Sequence, residues 1–171
     1  MIRFLPNLLS LARLAIAPYL FWLLWRGHFR LALAAILVAA VTDGLDGYLA
    51  RRLRVSSRIG EILDPIADKV LLSGAFVALW LEGSVDAWLA AIIFGRDALI
   101  LGAAGVALLL SKSPRRFPPS IWGKLSTIAQ VALVVTLAAR IPEPVLGIVK
   151  WTTAALTVVS FCHYCWRYTQ N

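Results

Sequence analysis

Four aspartates lie within a 26-residue window of this sequence, inside or beside apolar segments: Asp43, Asp46, Asp64 and Asp68. Carboxylates are costly in such segments, and where they occur they usually serve a function. Helical spacing brings the first two onto one side of a helix and the last two onto one side of the next. If the two helices are antiparallel neighbours, Asp46 and Asp64 lie at about the same distance along the helices from the loop that connects them. Asp43 and Asp68 then lie slightly farther from that loop. The spacing therefore predicts one acidic cluster built by two helices.

Such a cluster needs a counter-charge, because four neighbouring carboxylates cannot all stay ionised alone. Mg²⁺ and Mn²⁺ prefer oxygen ligands and commonly bind phosphate oxygens as well. Two such ions could clamp a displacement at phosphorus. From the residues alone, a proton or ion pathway and a structural pairing with nearby arginines remain open alternatives.

The elements that position these aspartates are long apolar segments. The chain has 171 residues, 60% of them hydrophobic and 15% charged, and its mean hydropathy is +0.79. Soluble domains are nearer half apolar. The apolar runs, each near the ~20 residues that cross a bilayer, cover about 7–25, 30–50, 61–81, 86–110, 119–139 and 145–166. We therefore expect an all-α integral membrane protein with six transmembrane helices, forming a single catalytic domain over 1–171.

Loop charges predict the orientation of these spans. Most of the basic residues that lie between spans are in the loops after spans two and four, namely Arg51, Arg52, Arg54, Arg58, Lys112, Arg115 and Arg116. The positive-inside rule then puts both termini and the acidic cluster on the cytoplasmic side of the membrane, with a bacterial inner membrane expected. The net charge of +8 favours anionic headgroups and phosphorylated substrates over nucleic acid as partners.

Two smaller patterns are interpreted conservatively. The first apolar run contains Arg13 and Pro18 and no evident small-residue cleavage site, so we do not interpret it as a signal peptide. Cys162, His163 and Cys165 provide too few ligands for a complete zinc site. We interpret these three as ordinary residues near a helix end.

The spacing around the aspartates is more specific than acidity alone. Eight positions form the pattern, namely Asp43, Asp46, Gly47, Ala50, Arg51, Gly60, Asp64 and Asp68. Each of them resembles the signature of the CDP-alcohol phosphatidyltransferase family, a family of six-helix membrane enzymes. The resemblance extends to the six-span layout and to the opening PNLLSLAR, and so covers most of the chain. These enzymes transfer a phosphatidyl group from a CDP-linked lipid to an alcohol and release CMP.

The resemblance implies roles for individual residues. The four aspartates would hold two divalent ions, Mg²⁺ or Mn²⁺, and Asp68 would also be the general base. The residues implied in binding the CDP-lipid are Asn7, Ser10, Gly47, Ala50, Arg51, Ser57 and Gly60. Close helix packing explains Ala50 and Gly60 equally well. The resemblance also implies a homodimer.

Later basic residues bear on the accepting alcohol. Arg96–Asp97 lies early in span four, and Lys124, Thr127 and Gln130 are expected on one face of span five. Basic groups flanking an acidic site suggest an acceptor that itself carries a phosphate. The Arg–Asp pair resembles the cardiolipin synthase branch, which implies transfer to phosphatidylglycerol; the alternative is the phosphatidylglycerophosphate synthase branch, which uses glycerol-3-phosphate and usually has Arg–Glu. Arg96–Asp97 could also be an internal ion pair.

Two other functions use acidic groups in membrane helices. Prenyltransferases place aspartates around a metal and a diphosphate, but generally need more spans and use another spacing. An ion or proton transporter would explain the acidic cluster, but not the pattern of Gly47, Ala50, Arg51 and Gly60. We therefore favour the phosphatidyltransferase.

Overall fold

All regular secondary structure is helical in the part of the chain that the structure, a computed structural model, describes. This part comprises residues 5–53, 58–110 and 120–169, with side chains described for 14–41, 67–100 and 120–166. Its six helices are α1 Leu5–Trp25, α2 Phe29–Leu53, α3 Arg58–Glu82, α4 Ala87–Leu110, α5 Ile121–Ala138 and α6 Glu143–Thr169. Every predicted span boundary lies within three residues of a helix boundary. The six-helix, all-α prediction is confirmed, and the crossing of a membrane by all six stays a prediction.

Three of the helices end in the same kind of turn. The first or second residue after α1, α3 and α5 has a positive φ: 72° at Gly27, 96° at Gly83 and 53° at Arg140. After α1, the His28 amide donates to the Leu23 carbonyl at 2.8 Å, and the two other turns repeat this bond. This Schellman pattern satisfies carbonyls that the helix itself leaves unpaired, so the connections can be short.

Arg140 occupies a backbone conformation that favours glycine, and two side-chain contacts offset its cost. Its guanidinium carbon lies 3.8 Å from the centre of the Phe29 ring. Its Nη2 lies 3.6 Å from a carboxylate oxygen of Glu82. A cation over an aromatic face is worth ~0.5–1 kcal/mol where it is exposed, comparable to the ~1–2 kcal/mol cost of a left-handed residue.

The helices form two compact units. The first is Met1–Val85 with Leu137–Arg140, and in it α1 packs against both α2 and α3. Its buried side chains include Leu20, Leu23, Leu24, Phe76 and Leu79. The second is Asp86–Thr136 with Ile141–Asn171, and in it α4 packs against α6.

Hydroxyl groups join α5 to α6 inside the second unit. The Thr153 hydroxyl donates to the Ala129 carbonyl at 3.1 Å. One helical turn away, the hydroxyl oxygens of Ser126 and Thr157 lie 3.2 Å apart, and both residues are fully buried. Small hydroxyl residues let helices approach closely and bond across the contact.

Replacing Thr153 by Val should destabilise the protein by ~0.6–1.7 kcal/mol, the range for hydrogen bonds between membrane helices. Valine has nearly the same shape but leaves the Ala129 carbonyl without this donor. The measurement is reversible denaturation of the detergent-solubilised protein, followed by tryptophan fluorescence. Thr152→Val is the control, because Thr152 is exposed and should change the free energy of unfolding by less than ~0.5 kcal/mol. Equal effects of the two substitutions would contradict a stabilising hydrogen bond from Thr153 to the Ala129 carbonyl.

The surface of the helices is unusually apolar. All seven tryptophans, at positions 22, 25, 80, 88, 122, 151 and 166, are exposed by 41% or more. Within the described ranges, two helices are long and apolar enough to cross a membrane, Ile121–Ala138 and Glu143–Trp166. Exposed apolar area on this scale marks a surface that contacts lipid or another protein.

Candidate active site

The predicted aspartate motif lies on two uninterrupted helices. Residues 43, 46, 47, 50 and 51 belong to α2, and residues 60, 64 and 68 belong to α3. Helical geometry therefore applies to the spacing within each half of the motif. The side chains of Asp43, Asp46 and Asp64 lie outside the described part, so their meeting in one cluster stays a prediction.

Three further residues expected to bind the CDP-lipid lie outside the motif, two on α1 and one in the connection between α2 and α3. Asn7 and Ser10 belong to α1, the helix that packs against both α2 and α3. Their side chains, like those of Gly47, Ala50, Arg51 and Gly60, lie outside the described part. Ser57 lies between α2 and α3, outside the described residues. These roles remain predictions.

Asp68 is the predicted base, and its side chain is described. It is exposed, whereas its neighbour Ala67 is completely buried. A carboxylate on the accessible side of α3 can be reached by a hydroxyl, as a proton acceptor must be. Its placement is compatible with the predicted role.

The donor set suits a hard divalent cation. Four aspartates on two helices would offer only oxygen ligands, the chemistry that Mg²⁺ and Mn²⁺ prefer. Within the side chains that the structure describes, no group of three or more His, Cys, Asp or Glu could hold a metal. That search includes Cys162, His163 and Cys165, and both cysteines are exposed and unbridged. It does not include three of the four aspartates.

A polar cluster surrounds Arg96 in the second compact unit, which contains α4 and α6. Arg96 Nη1 donates to Asp97 Oδ1 at 2.8 Å, and both side chains are about nine-tenths buried. Arg96 Nη2 donates to the hydroxyl oxygen of Ser160 on α6 at 3.1 Å. The guanidinium carbon lies 5.9 Å from the centre of the Tyr164 ring, and Gly123 of α5 is close by. We call these five residues the Arg96 cluster.

The α5 residues predicted to join the acceptor site differ in exposure. Lys124 and Thr127 are exposed, and the Thr127 hydroxyl donates to the Gly123 carbonyl at 3.1 Å. Gln130, which the spacing grouped with them, is instead buried. At ~3.6 residues per turn, each three-residue step turns by about 60° around the helix. Gln130 therefore lies about 120° around α5 from Lys124, on the side that packing buries.

Sequence reasoning did not single out Ser160 and Tyr164. A signal was present, because Thr153, Thr157, Ser160 and Tyr164 follow one another on α6 at intervals of four, three and four residues. Such spacing places hydroxyl groups along one side of a helix. Only their contact with Arg96 identifies the two as candidates for a functional site.

Comparison with known proteins decides the family. The family model of the CDP-alcohol phosphatidyltransferases matches residues 3–159. This chain belongs to that family. The match covers all eight positions of the aspartate motif and the Arg96 cluster except Ser160 and Tyr164.

Curated relatives in the family have two kinds of name. A cardiolipin synthase (CMP-forming) from Rattus norvegicus is 31% identical over 186 residues, covering 94% of this chain and 61% of the relative. A CDP-diacylglycerol–glycerol-3-phosphate 3-phosphatidyltransferase from Bacillus subtilis is 30% identical over 182 residues, covering 94% of this chain and 92% of the relative. The protein of the same name from Aquifex aeolicus is 38% identical over 129 residues, covering 72% of this chain and 68% of the relative.

The relatives differ in length from this chain. It spans about three-fifths of the Rattus norvegicus cardiolipin synthase and less than half, 45%, of a similar protein from Drosophila melanogaster. Identities to the two kinds of enzyme are similar, so family membership does not choose between their acceptors.

Proposed function

We propose that this protein transfers a phosphatidyl group from CDP-diacylglycerol to the hydroxyl of phosphatidylglycerol, giving cardiolipin and CMP. The observation that carries the proposal is the eight-position aspartate motif on α2 and α3 of a chain belonging to this family. The alternative is transfer to glycerol-3-phosphate, which the names of the Bacillus subtilis and Aquifex aeolicus relatives favour.

In the proposed reaction, Asp43, Asp46, Asp64 and Asp68 would hold two divalent ions, Mg²⁺ or Mn²⁺. Such ions would supply charge neutralisation of the linked phosphates and so make CMP a better leaving group. The carboxylate of Asp68 accepts the proton of the acceptor hydroxyl. The acceptor oxygen forms its bond to the phosphatidyl phosphorus as the bond to the CMP oxygen breaks on the opposite side.

The remaining CDP-lipid residues bind and orient the donor. Arg51 provides a guanidinium that can hold a phosphate by two parallel bonds. Gly47 and Ala50 leave room for a flat base against α2. Asn7, Ser10, Ser57 and Gly60 complete the site as the family resemblance implies, and α1 packs against both helices that carry the motif.

The Arg96 cluster supports a phosphate-bearing acceptor. Arg96 and Asp97 form a buried pair whose net charge is zero. Such a pair suits the single charge of a phosphodiester better than a phosphomonoester, which carries ~1.5–2 charges near pH 7. Phosphatidylglycerol is the phosphodiester of the two candidates. Lys124 and Thr127 lie exposed on α5 and complete the proposed acceptor site.

We place the protein in a membrane, crossing it six times as a single domain. The exposed tryptophans support this placement, since six of the seven lie close to a helix end, and tryptophan is enriched at the interfaces of a bilayer. The loop charges support cytoplasmic termini and a cytoplasmic active site. The family resemblance supports a homodimer.

An acceptor panel tests the function. Purified protein in detergent with CDP-diacylglycerol and Mg²⁺ or Mn²⁺ should release CMP with phosphatidylglycerol, and product mass should identify cardiolipin. Inositol and choline should give no product. Release with glycerol-3-phosphate alone would establish the alternative, and no CMP with any acceptor from a well-folded preparation would refute both.

A further inference from the structure

Arg96 retains donors that its protein contacts do not use. A guanidinium has five N–H donors, and two of them go to Asp97 and Ser160. Its Nε is buried and has no hydrogen-bond partner within the described part of the chain. A guanidinium with free donors can still bind two oxygens of a phosphate.

Asp97 alone does not define the direction of this guanidinium. Adjacent residues on a helix do not face each other, so the bond from Nη1 to Asp97 fixes only one end of the guanidinium. A single bond to one Nη also leaves rotation about the side-chain dihedrals. A second fixed point must come from another helix.

Two residues of α6 provide that second point. The Ser160 hydroxyl, which is completely buried, accepts from Nη2 at 3.1 Å. The Tyr164 ring lies 5.9 Å from the guanidinium carbon, within the range of a cation–π contact. On the α5 side, a Cβ added to Gly123 would lie 3.5 Å from Nη2 and 3.4 Å from the Tyr164 hydroxyl.

We propose that Ser160 and Tyr164 are positioning residues that hold Arg96 in the direction required to bind the acceptor phosphate. The inference rests on the proposed function, in which Arg96 contacts that phosphate. An arginine already held in place loses less side-chain freedom when its ligand binds. The positioning residues therefore act on acceptor affinity and leave the CDP-lipid and the chemical step unaffected.

The first test is steady-state kinetics of Ser160→Ala in detergent with phosphatidylglycerol. We expect the acceptor KM to rise about tenfold, as for the loss of one hydrogen bond to a charged group. The KM for CDP-diacylglycerol and kcat should change less than about twofold. Ser160→Thr keeps the hydroxyl and should recover most of the affinity. Ser126→Ala is the matched control, because it removes a buried α5–α6 hydroxyl that pairs with Thr157.

Tyr164 is tested in the same assay by two variants. Tyr164→Phe keeps the ring and should leave the acceptor KM within about twofold of wild type. Tyr164→Leu removes the ring and should raise it about threefold. Equal effects of the two variants would contradict a role for the ring.

A double-mutant cycle separates positioning from a general structural role. In an Arg96→Lys background, Ser160→Ala should change the acceptor KM less than about twofold, because the group that it positions is gone. The same tenfold change in both backgrounds, or an equal change for Ser126→Ala, would overturn the inference.

The proposed function can be refuted without refuting the positioning role of Ser160 and Tyr164. If wild-type protein releases no CMP with any acceptor, the function is refuted, and glycerol-3-phosphate binding by calorimetry becomes the readout. Weaker binding by Ser160→Ala than by Ser126→Ala would then support the positioning. Equal binding, or none to wild type, would refute it.

Discussion

Replacing Asp68 by Asn should lower the rate of CMP release by ~10²–10⁴-fold, the contribution of a positioned general base. Asparagine has nearly the same shape but cannot accept the proton of the acceptor hydroxyl, and it also removes a charged ligand. The measurement is CMP release at saturating CDP-diacylglycerol, acceptor and divalent ion. Asp64→Asn should cause a comparable loss, with a divalent-ion requirement shifted to higher concentration.

Asp86→Asn is the matched control for these carboxylates. Asp86 is half-exposed and pairs with Lys150 at 3.1 Å, so its loss removes a carboxylate without touching the motif. Its CMP release should stay within about twofold of wild type, because an exposed ion pair contributes little. An Asp68→Asn protein that is folded and keeps more than about a tenth of the activity would exclude Asp68 as the base.

The second large effect is expected from removing the Arg96–Asp97 pair as a unit. Changing Arg96 alone would remove the counter-charge that Arg96 gives to the buried Asp97 carboxylate, and breaking a buried ion pair on one side costs ~3–5 kcal/mol in stability. The double variant Arg96→Gln with Asp97→Asn removes both charges together. It should fold and lose ~10- to 150-fold in kcat/KM for the acceptor, corresponding to a charged hydrogen bond of ~1.5–3 kcal/mol. The KM for CDP-diacylglycerol should stay within about twofold of wild type.

A second arginine–carboxylate pair provides the control. Arg140 and Glu82 lie 3.6 Å apart, and the Arg140 side chain is mostly exposed. Arg140→Gln with Glu82→Gln removes the same two charges from the surface and should leave acceptor kinetics unchanged. If the two double variants behave alike in the acceptor assay, Arg96–Asp97 is an internal ion pair and the acceptor phosphate binds elsewhere.

The helices were predictable because apolar run length and turn residues are local properties. The runs predicted all six helices to within three residues at each end, and Gly27 and Gly83 close two of the turns. Arg140 was harder to predict, since arginine does not favour a positive φ. Its contacts with Phe29 and Glu82 come from parts of the chain far away in sequence.

The candidate sites likewise divide into features that local sequence predicts and features that depend on helix packing. The aspartate motif is a local pattern on two consecutive helices, so its family and its donor chemistry could be inferred from spacing. Ser160 and Tyr164 lie more than sixty residues from Arg96, and no local pattern connects them to it. Gln130 shows the converse, because its polarity suggested a site, whereas packing buried it.

By itself, the sequence determined the six helices, the acidic motif and the family, because each depends on residues close together in the chain. The tertiary structure alone decided which groups surround Arg96. Its guanidinium is held by atoms of α4 and α6 beside a glycine of α5, and the packing of helices in space, not their order in the chain, brings those atoms within hydrogen-bonding distance.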